Sequence, residues 1–165
     1  YVRLAEALGR AAGPGGIAWD LYCGLGLVSF YLARHFRVIY GIDSEPHHLE
    51  LARENAALNG LDTIEFRTGK VEVVLRDRRF WLQEARPDAV VIDPPRAGLH
   101  PDALASLTAA RPRHIAYLSC NAQSLVRDVG WLQSGFPRYR VNTLHAFDMF
   151  PQTNHVEVLA VLERL

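Results

Sequence analysis

Ile115-Ala116-Tyr117-Leu118-Ser119-Cys120-Asn121 is the stretch whose reading decides the fold. Its first four residues are a short apolar run, the pattern of a buried strand. The run stops at Ser-Cys-Asn, and helical spacing follows over residues 122–132. A strand that passes directly into a helix is one unit of an open α/β sheet, and such sheets do their chemistry outside the carboxyl ends of their strands. Cys120 is therefore delivered to that edge, just before a helix N-terminus whose partial positive charge favours a thiolate. Position alone leaves a buried structural cysteine as the commoner outcome, because free cysteines are among the most buried residues. The other motifs of the chain reverse that balance.

The same alternation runs along the whole sequence. The patterns predict strands over 17–22, 38–42, 64–67, 89–92, 114–119, 139–146 and 155–162. Helices are expected over 2–12, 27–35, 46–59, 71–85, 101–110 and 122–132, with a turn at 13–16. Ser44 is expected to cap the helix that Pro46 opens, and Gly60 to end it. Strands alternating with helices imply a doubly wound, mostly parallel sheet with right-handed crossovers, and the last two strands are expected to pair with each other. No repeat, low-complexity segment or internal boundary interrupts residues 1–165, which read as one domain.

Composition sets the outer bounds. The 165 residues, 49% hydrophobic and 22% charged, suffice for one globular core. No apolar run approaches the ~20 residues of a membrane span. The two cysteines, Cys23 and Cys120, make neither a disulfide framework nor a metal-ligand cluster, so no metal and a reducing cytoplasm are expected. Lys+Arg and Asp+Glu balance at 18 each, so the chain as a whole has no electrostatic footprint for nucleic acid. If a nucleic acid is the substrate, grip must come from a local patch or from another domain. The first residue is Tyr rather than Met, which suggests a piece cut from a longer protein.

Two further loops sit where a ligand would be held. Gly24-Leu25-Gly26 follows the first strand, and Asp43, nineteen positions after Gly24, ends the second. That spacing suits a ribose: glycines let the backbone approach, and the acid accepts from sugar hydroxyls. The dinucleotide fingerprint wants a third glycine at position 29, where this chain has Ser29, which argues against NAD or FAD. A ligand with a ribose and no pyrophosphate, such as S-adenosylmethionine, is not affected. Cys23, among apolar residues and glycines, reads as structural. Asp93-Pro94-Pro95-Arg96 ends the fourth strand, and two prolines make a rigid turn carrying an acid and an arginine to the same edge.

Together, Asp20-Leu21-Tyr22-Cys23-Gly24-Leu25-Gly26, Asp93-Pro94-Pro95-Arg96-Ala97-Gly98, Ser119-Cys120-Asn121 and the closing run 147–157, Phe-Asp-Met-Phe-Pro-Gln-Thr-Asn-His-Val-Glu, resemble the catalytic domain of the RNA 5-methyluridine methyltransferases. The resemblance covers nearly the whole chain. It implies a class I, Rossmann-like methyltransferase fold with a seven-stranded sheet and an antiparallel last strand, S-adenosyl-L-methionine as cofactor, and ribosomal or transfer RNA as partner. Ser119 to Gln123 look more like the ribosomal branch. By resemblance Cys120 is the nucleophile, Glu157 the base, and Tyr22, Asp43 and Asp93 contact the cofactor, beside Gly24 and Gly26. The family's upstream Phe-x-Gln-x-Asn stretch and RNA-binding domain are not in this sequence, and Gly69-Lys70 stands where an acid is common. A cytoplasmic monomer that contacts RNA and no membrane is expected.

The chemistry calls for these residue types. Carbon 5 of uracil is a poor nucleophile until a thiolate adds at carbon 6, which is covalent catalysis. A general base must then remove the carbon 5 proton. Glu157 stands in an apolar strand run, where a carboxylate is costly unless it is paired or functional. The enolate oxygen needs a donor, for which Arg96 is the candidate. Phe147, Phe150 and Tyr22 are placed for stacking, although such aromatics more often belong to a core. Two alternatives remain open at this point: a cytosine target, and a module that binds cofactor and RNA without catalysis.

Overall fold

The apolar runs between the helical segments become the central strands of one sheet. The computed structural model describes residues 16–84, 86–148, 152 and 156–165. Strands β1 (Ile17–Leu21), β2 (Val38–Asp43), β3 (Ile64–Thr68), β4 (Ala89–Ile92), β5 (His114–Ser119), β6 (Tyr139–Phe147) and β7 (Glu157–Arg164) lie in the order β3-β2-β1-β4-β5-β7-β6. The first five are parallel, and β7 is antiparallel to both of its neighbours, β5 and β6. The expected doubly wound sheet with an antiparallel last strand is therefore the observed one. From β1 the chain moves outward through β2 to β3, then returns to the other side of β1 for β4 and β5. That reversal opens a crevice between the loops after β1 and β4, where ligands of open α/β sheets bind.

Helices α1 (Leu27–Leu32), α2 (Pro46–Leu58), α3 (Val71–Val74), α4 (Pro101–Ala110) and α5 (Ala122–Ser134) cover the sheet. Successive strand residues point to opposite faces, so one strand feeds two cores. Trp19 and Leu21 join a cluster with Leu75, Leu104, Leu107, Leu125 and Leu132. Ala18 joins another with Val28, Leu32, Ile39, Val91 and Ala116. Full burial of one such large apolar side chain contributes roughly 1.5–3 kcal/mol.

Three local expectations need correction. The helix expected over 71–85 is broken: α3 ends at Val74, and a π-helical turn, Phe80–Glu84, follows the exposed residues 76–79. Packing overrides helical spacing here. Phe80 stacks on Trp19 at 5.8 Å and meets Tyr40 edge-on at 5.2 Å, while the Trp81 indole donates to the Leu75 carbonyl at 2.9 Å. Ser44 is not the cap of α2. Glu45 is, its carboxylate accepting from the His47 amide, because Asp43 has already bent the chain by accepting from the Glu45 amide at 2.9 Å. Helix α1 stops at Leu32 rather than running to 35, and Phe36 turns into the core. The expected helix over 2–12, turn residues 13–15, Phe150 and His155 lie outside the described residues.

Candidate functional site

The loop after β1 is shaped by its backbone. Tyr22, Gly24 and Gly26 have φ of 61°, 52° and 78°. For Tyr22, a residue with a Cβ, this left-handed conformation costs roughly 1–2 kcal/mol, the kind of strain that gathers at functional sites. A Cβ on Gly24 would meet nothing within 4 Å, so the backbone there faces open space. Gly26 has a different reason: a Cβ would lie 2.8 Å from the Phe66 ring. Asp43, at the end of β2, holds the loop by accepting from the Gly24 amide at 2.9 Å through one oxygen while the other accepts from Glu45. Each oxygen keeps a second lone pair for a hydroxyl donor.

Beneath this loop sits a pair that sequence reading missed. Asp20, 1% exposed, accepts a 2.6 Å hydrogen bond from the Ser29 hydroxyl. Burial pushes its carboxyl up to about 7, against the hydrogen bond from Ser29. Ser29 occupies the position where a dinucleotide fold would have glycine, and here it serves the buried acid instead. An acid inside the apolar run Ile17–Leu21 was the available signal.

The loops after β4 and β5 are fastened to each other. The Asn121 amide side chain donates to the Arg96 carbonyl at 2.9 Å, and Arg127 donates to the Ala97 carbonyl at 2.9 Å. Asp128, fully buried on α5, accepts from the Leu99 amide at 2.8 Å, the Tyr117 hydroxyl at 2.6 Å and Arg127 at 2.8 Å. A Cβ on Gly98, at φ 79°, would lie 2.5 Å from the Arg127 guanidinium and 2.6 Å from the Asp128 carboxylate. These contacts join the turn carrying Asp93 and Arg96 to the segment carrying Cys120. Asp128 was also missed; its signal was an acid on the apolar stripe of Leu125, Val129 and Leu132.

Cys120 and Glu157 are brought to one edge by strand pairing. Ser119 of β5 pairs with Val158 of β7. Cys120 follows Ser119 and Glu157 precedes Val158, so the two stand just beyond the last rung of this ladder, at the same edge of the sheet. Both are partly exposed. Asn121 caps α5 by accepting from the Gln123 amide at 3.0 Å, and Ser119 bonds both the amide and the carbonyl of Asn121. Asp93 is held above the usual carboxylate range, by burial first and then by the negative charge of Glu157. Arg96 is exposed on the same edge, and Phe147 is 40% exposed at the end of β6. Burial, with Asp20 and Asp43 behind it, pushes the Cys23 thiol far above its ordinary value.

Tyr22, Ser44, Lys70, Val71, Glu72, Pro95, Gly98 and His100 line a cleft of about 210 Å³ at the crevice between the β1 and β4 loops. Burial, then Glu72 and Asp128, raises the Tyr22 hydroxyl to about 12, so it is a neutral donor. A larger concavity, about 640 Å³, lies at the opposite edge of the sheet, away from every residue named so far in this section. Of the residues expected to hold a cofactor, Tyr22 lines the small cleft, together with Lys70 and Glu72, whereas Gly24, Gly26, Asp43 and Asp93 do not. Among the described residues no three His, Cys, Asp or Glu are grouped to hold a metal ion, and no helix is long and apolar enough to cross a membrane.

Known proteins resemble the chain along most of its length. The family described as tRNA (Uracil-5-)-methyltransferase matches residues 10–165. An uncharacterized RNA methyltransferase of Nitratidesulfovibrio vulgaris is 41% identical over 156 residues, covering 93% of this chain and 33% of its own. One from Oceanobacillus iheyensis is 40% identical over 144 residues, covering 87% and 30%. Among solved structures, the tRNA (uracil-54, C5)-methyltransferase of Pyrococcus abyssi, in complex with S-adenosyl-L-homocysteine, superposes with a TM-score of 0.78 at 34% identity, over 97% of this chain and 37% of that one. An rRNA methylase from Streptococcus thermophilus shares the fold at 16% identity and a TM-score of 0.75, over 99% and 95%. The chain spans about a third of the length of the curated relatives it matches.

Proposed function

The chain belongs to the tRNA (uracil-5-)-methyltransferase family, and from that premise we propose that it is the catalytic part of an S-adenosylmethionine-dependent enzyme that methylates carbon 5 of uridine in RNA. The observation that supports the reading most is the pairing of β5 with β7 through Ser119 and Val158, the chain neighbours of Cys120 and Glu157, at the edge where the charge of Glu157 acts on Asp93.

The residues present fit the cofactor. The charges of Asp43 and Asp93 both reach the buried Asp20, so the two carboxylates lie close to this loop, as suits a ligand bearing a sulfonium and an ammonium group. Open space over the Gly24 backbone and the spare lone pairs of Asp43 suit a ribose. Tyr22 and Asp93 would flank the methionine part, and Gly26 shapes the loop from below. The cofactor, when bound, supplies an electrophilic methyl group to carbon 5.

On the protein side, the Cys120 thiolate adds to carbon 6, forming an S–C bond as the π pair moves onto the ring to give an enolate. Arg96 donates to the enolate oxygen. After carbon 5 has taken the methyl group, Glu157 removes the carbon 5 proton, and the released electron pair restores the ring double bond and expels the Cys120 sulfur. A base inside a stack cannot meet that sulfur, so the target uridine lies in a loop or is flipped out.

By resemblance, Ser119 to Gln123 look more like the ribosomal branch, so ribosomal RNA is the first reading. Transfer RNA is the second reading, on the 34% identity to the archaeal transfer RNA enzyme. The test uses the natural full-length protein with unmodified transcripts of both RNAs. Cys120→Ala should lower methylation by about 10³-fold or more and abolish the covalent RNA adduct. Glu157→Gln should accumulate the adduct instead, because proton removal is slowed. Methylation by Cys120→Ala at the normal rate would refute the mechanism, and the transcript that is methylated decides between the two RNAs.

A further inference from the structure

We infer that the arginine-lined cleft at the opposite edge of the sheet is a second contact for the RNA, gripping its phosphate backbone away from the target base; this rests on the reading of the chain as acting on RNA. The cleft, about 640 Å³, is lined by Arg86, Arg111, Phe136, Pro137, Arg138, Arg164 and Leu165. Four of those seven are arginines, in a chain with 18 Lys+Arg against 18 Asp+Glu in all. Among the described residues no acidic side chain lines the cleft, and no ion pair joins Arg86 or Arg138 to a described acid. The nearest acid in sequence, Glu163, follows Leu162 on β7 and is bonded to Arg140 and Asn142 instead. Strand alternation turns Glu163 and Arg164 to opposite faces.

The cleft is built rather than incidental. Arg111 ends α4 in the left-handed conformation, φ 56°, where glycine is the usual residue. Its carbonyl accepts from the Arg164 guanidinium. The Arg164 amide bonds the Arg113 carbonyl and the Leu165 amide bonds the Arg138 carbonyl, each at 2.9 Å, so the three chain segments are locked together. The Arg111 guanidinium lies 5.4 Å from the centre of the Phe136 ring, and that ring is 87% exposed. Guanidinium groups around an open aromatic face are the chemistry that binds phosphates and stacks a base.

Position gives the contact a use. Arg86, Arg111 and Arg138 precede β4, β5 and β6, whereas Cys120 and Glu157 lie at the far ends of β5 and β7. The six residues of β5 separate the two edges by ~20 Å, a span that a folded RNA can bridge. The guanidinium groups of this edge suit backbone phosphates, while the target nucleotide of the same RNA reaches Cys120 at the other edge.

The test measures binding of unmodified transfer RNA and ribosomal RNA transcripts to the natural full-length protein as salt is varied. Arg86→Glu/Arg138→Glu alters two exposed side chains. It should weaken RNA binding at least tenfold and flatten the salt dependence by about two phosphate contacts, with cofactor affinity and thermal stability unchanged. Phe136→Ala should weaken binding about fivefold or more with the salt dependence intact. Unchanged RNA affinity and salt dependence in the double variant would overturn the inference. So would lost thermal stability with RNA affinity intact, which would assign the arginines to contact with another part of the polypeptide. If the wild type methylates neither transcript while its RNA binding still depends on these arginines, the proposed activity fails and the contact stands.

Discussion

The loops after β1 and β5 each bring one of the chain's two cysteines to the carboxyl edge of the same sheet, and they are built in opposite ways. The first is shaped by backbone freedom, with three left-handed residues in five and no side-chain cap on the helix that follows. The second has no left-handed residue and is fixed by side chains: Ser119 and Asn121 bond each other and cap α5, and Asn121 reaches across to Arg96. A backbone-shaped loop suits a ligand that must lie against it. A side-chain-braced loop suits one reactive atom that must be held still. The cysteines follow their loops. Cys23 lies among Asp20 and Asp43 under a burial that keeps its thiol protonated, and a Cβ on Gly41 would be 3.1 Å from its sulfur.

The largest effect expected from this contrast is chemical. Iodoacetamide near pH 7.5, followed by mass spectrometry of the peptides, should label Cys120 at least ~100-fold faster than Cys23, because the thiolate is the reacting form. Cys23→Ala should cost less than threefold in methylation, against the ~10³-fold loss for Cys120→Ala. Faster labelling of Cys23, or equal losses in the two variants, would break the distinction.

How much of this could be read from the residues follows from where the governing forces act. The succession of strands and helices along the chain was accessible because apolar runs and glycine or proline punctuation are local, and the runs that become β4, β5 and α4 have the expected bounds. Residues 71–85 were misread because Phe80 and Trp81 answer to Trp19, Tyr40 and Leu75, not to their own helical spacing. Asp43, Asp93 and Cys120 could be singled out as polar residues after apolar runs, and Glu157 as a carboxylate within one, while their proposed roles came from the resemblance. Asp20 and Asp128 were not, because their importance lies in partners far along the chain: Ser29 for one, Leu99 and Tyr117 for the other. The arginine cleft was invisible for the same reason, since its members are scattered from 86 to 164 and cancel in the net charge.

The bracing of the second loop can be cut from below. Asp128→Ala leaves the Tyr117 hydroxyl and the Leu99 amide without their acceptor. It also removes the partner of Arg127, whose side chain is 58% exposed and can turn to water. The expected cost is about 2–4 kcal/mol in urea unfolding. Methylation at saturating cofactor should fall as well, since the Arg96 turn loses an anchor. Cys120 alkylation should change more than cofactor affinity. A variant as stable as the wild type would show that the bracing lies elsewhere.

The first loop offers the smaller effect, and pH exposes it. Burial holds the Asp20 carboxyl at about 7, against 3.8 ordinarily. Between those values the folded chain keeps a proton that the unfolded chain has released, so folding stability declines as pH rises from about 4 to 7 and is level on either side. Asp93, also raised, adds a decline of the same sign, while the lowered Glu163 is partly exposed on the surface of β7 and weighs little. Asp20→Asn should therefore flatten the decline without abolishing it. Ser29→Ala removes the hydroxyl that favours the ionised form, so its cost should be small below pH 5 and reach about 1.5 kcal/mol above pH 8. Urea unfolding at pH 5 and pH 8 measures both. A cost for Ser29→Ala that is the same at the two pH values would mean that the hydroxyl fills space beneath the loop and does not tune the acid, and the first loop would then owe its shape to its glycines alone.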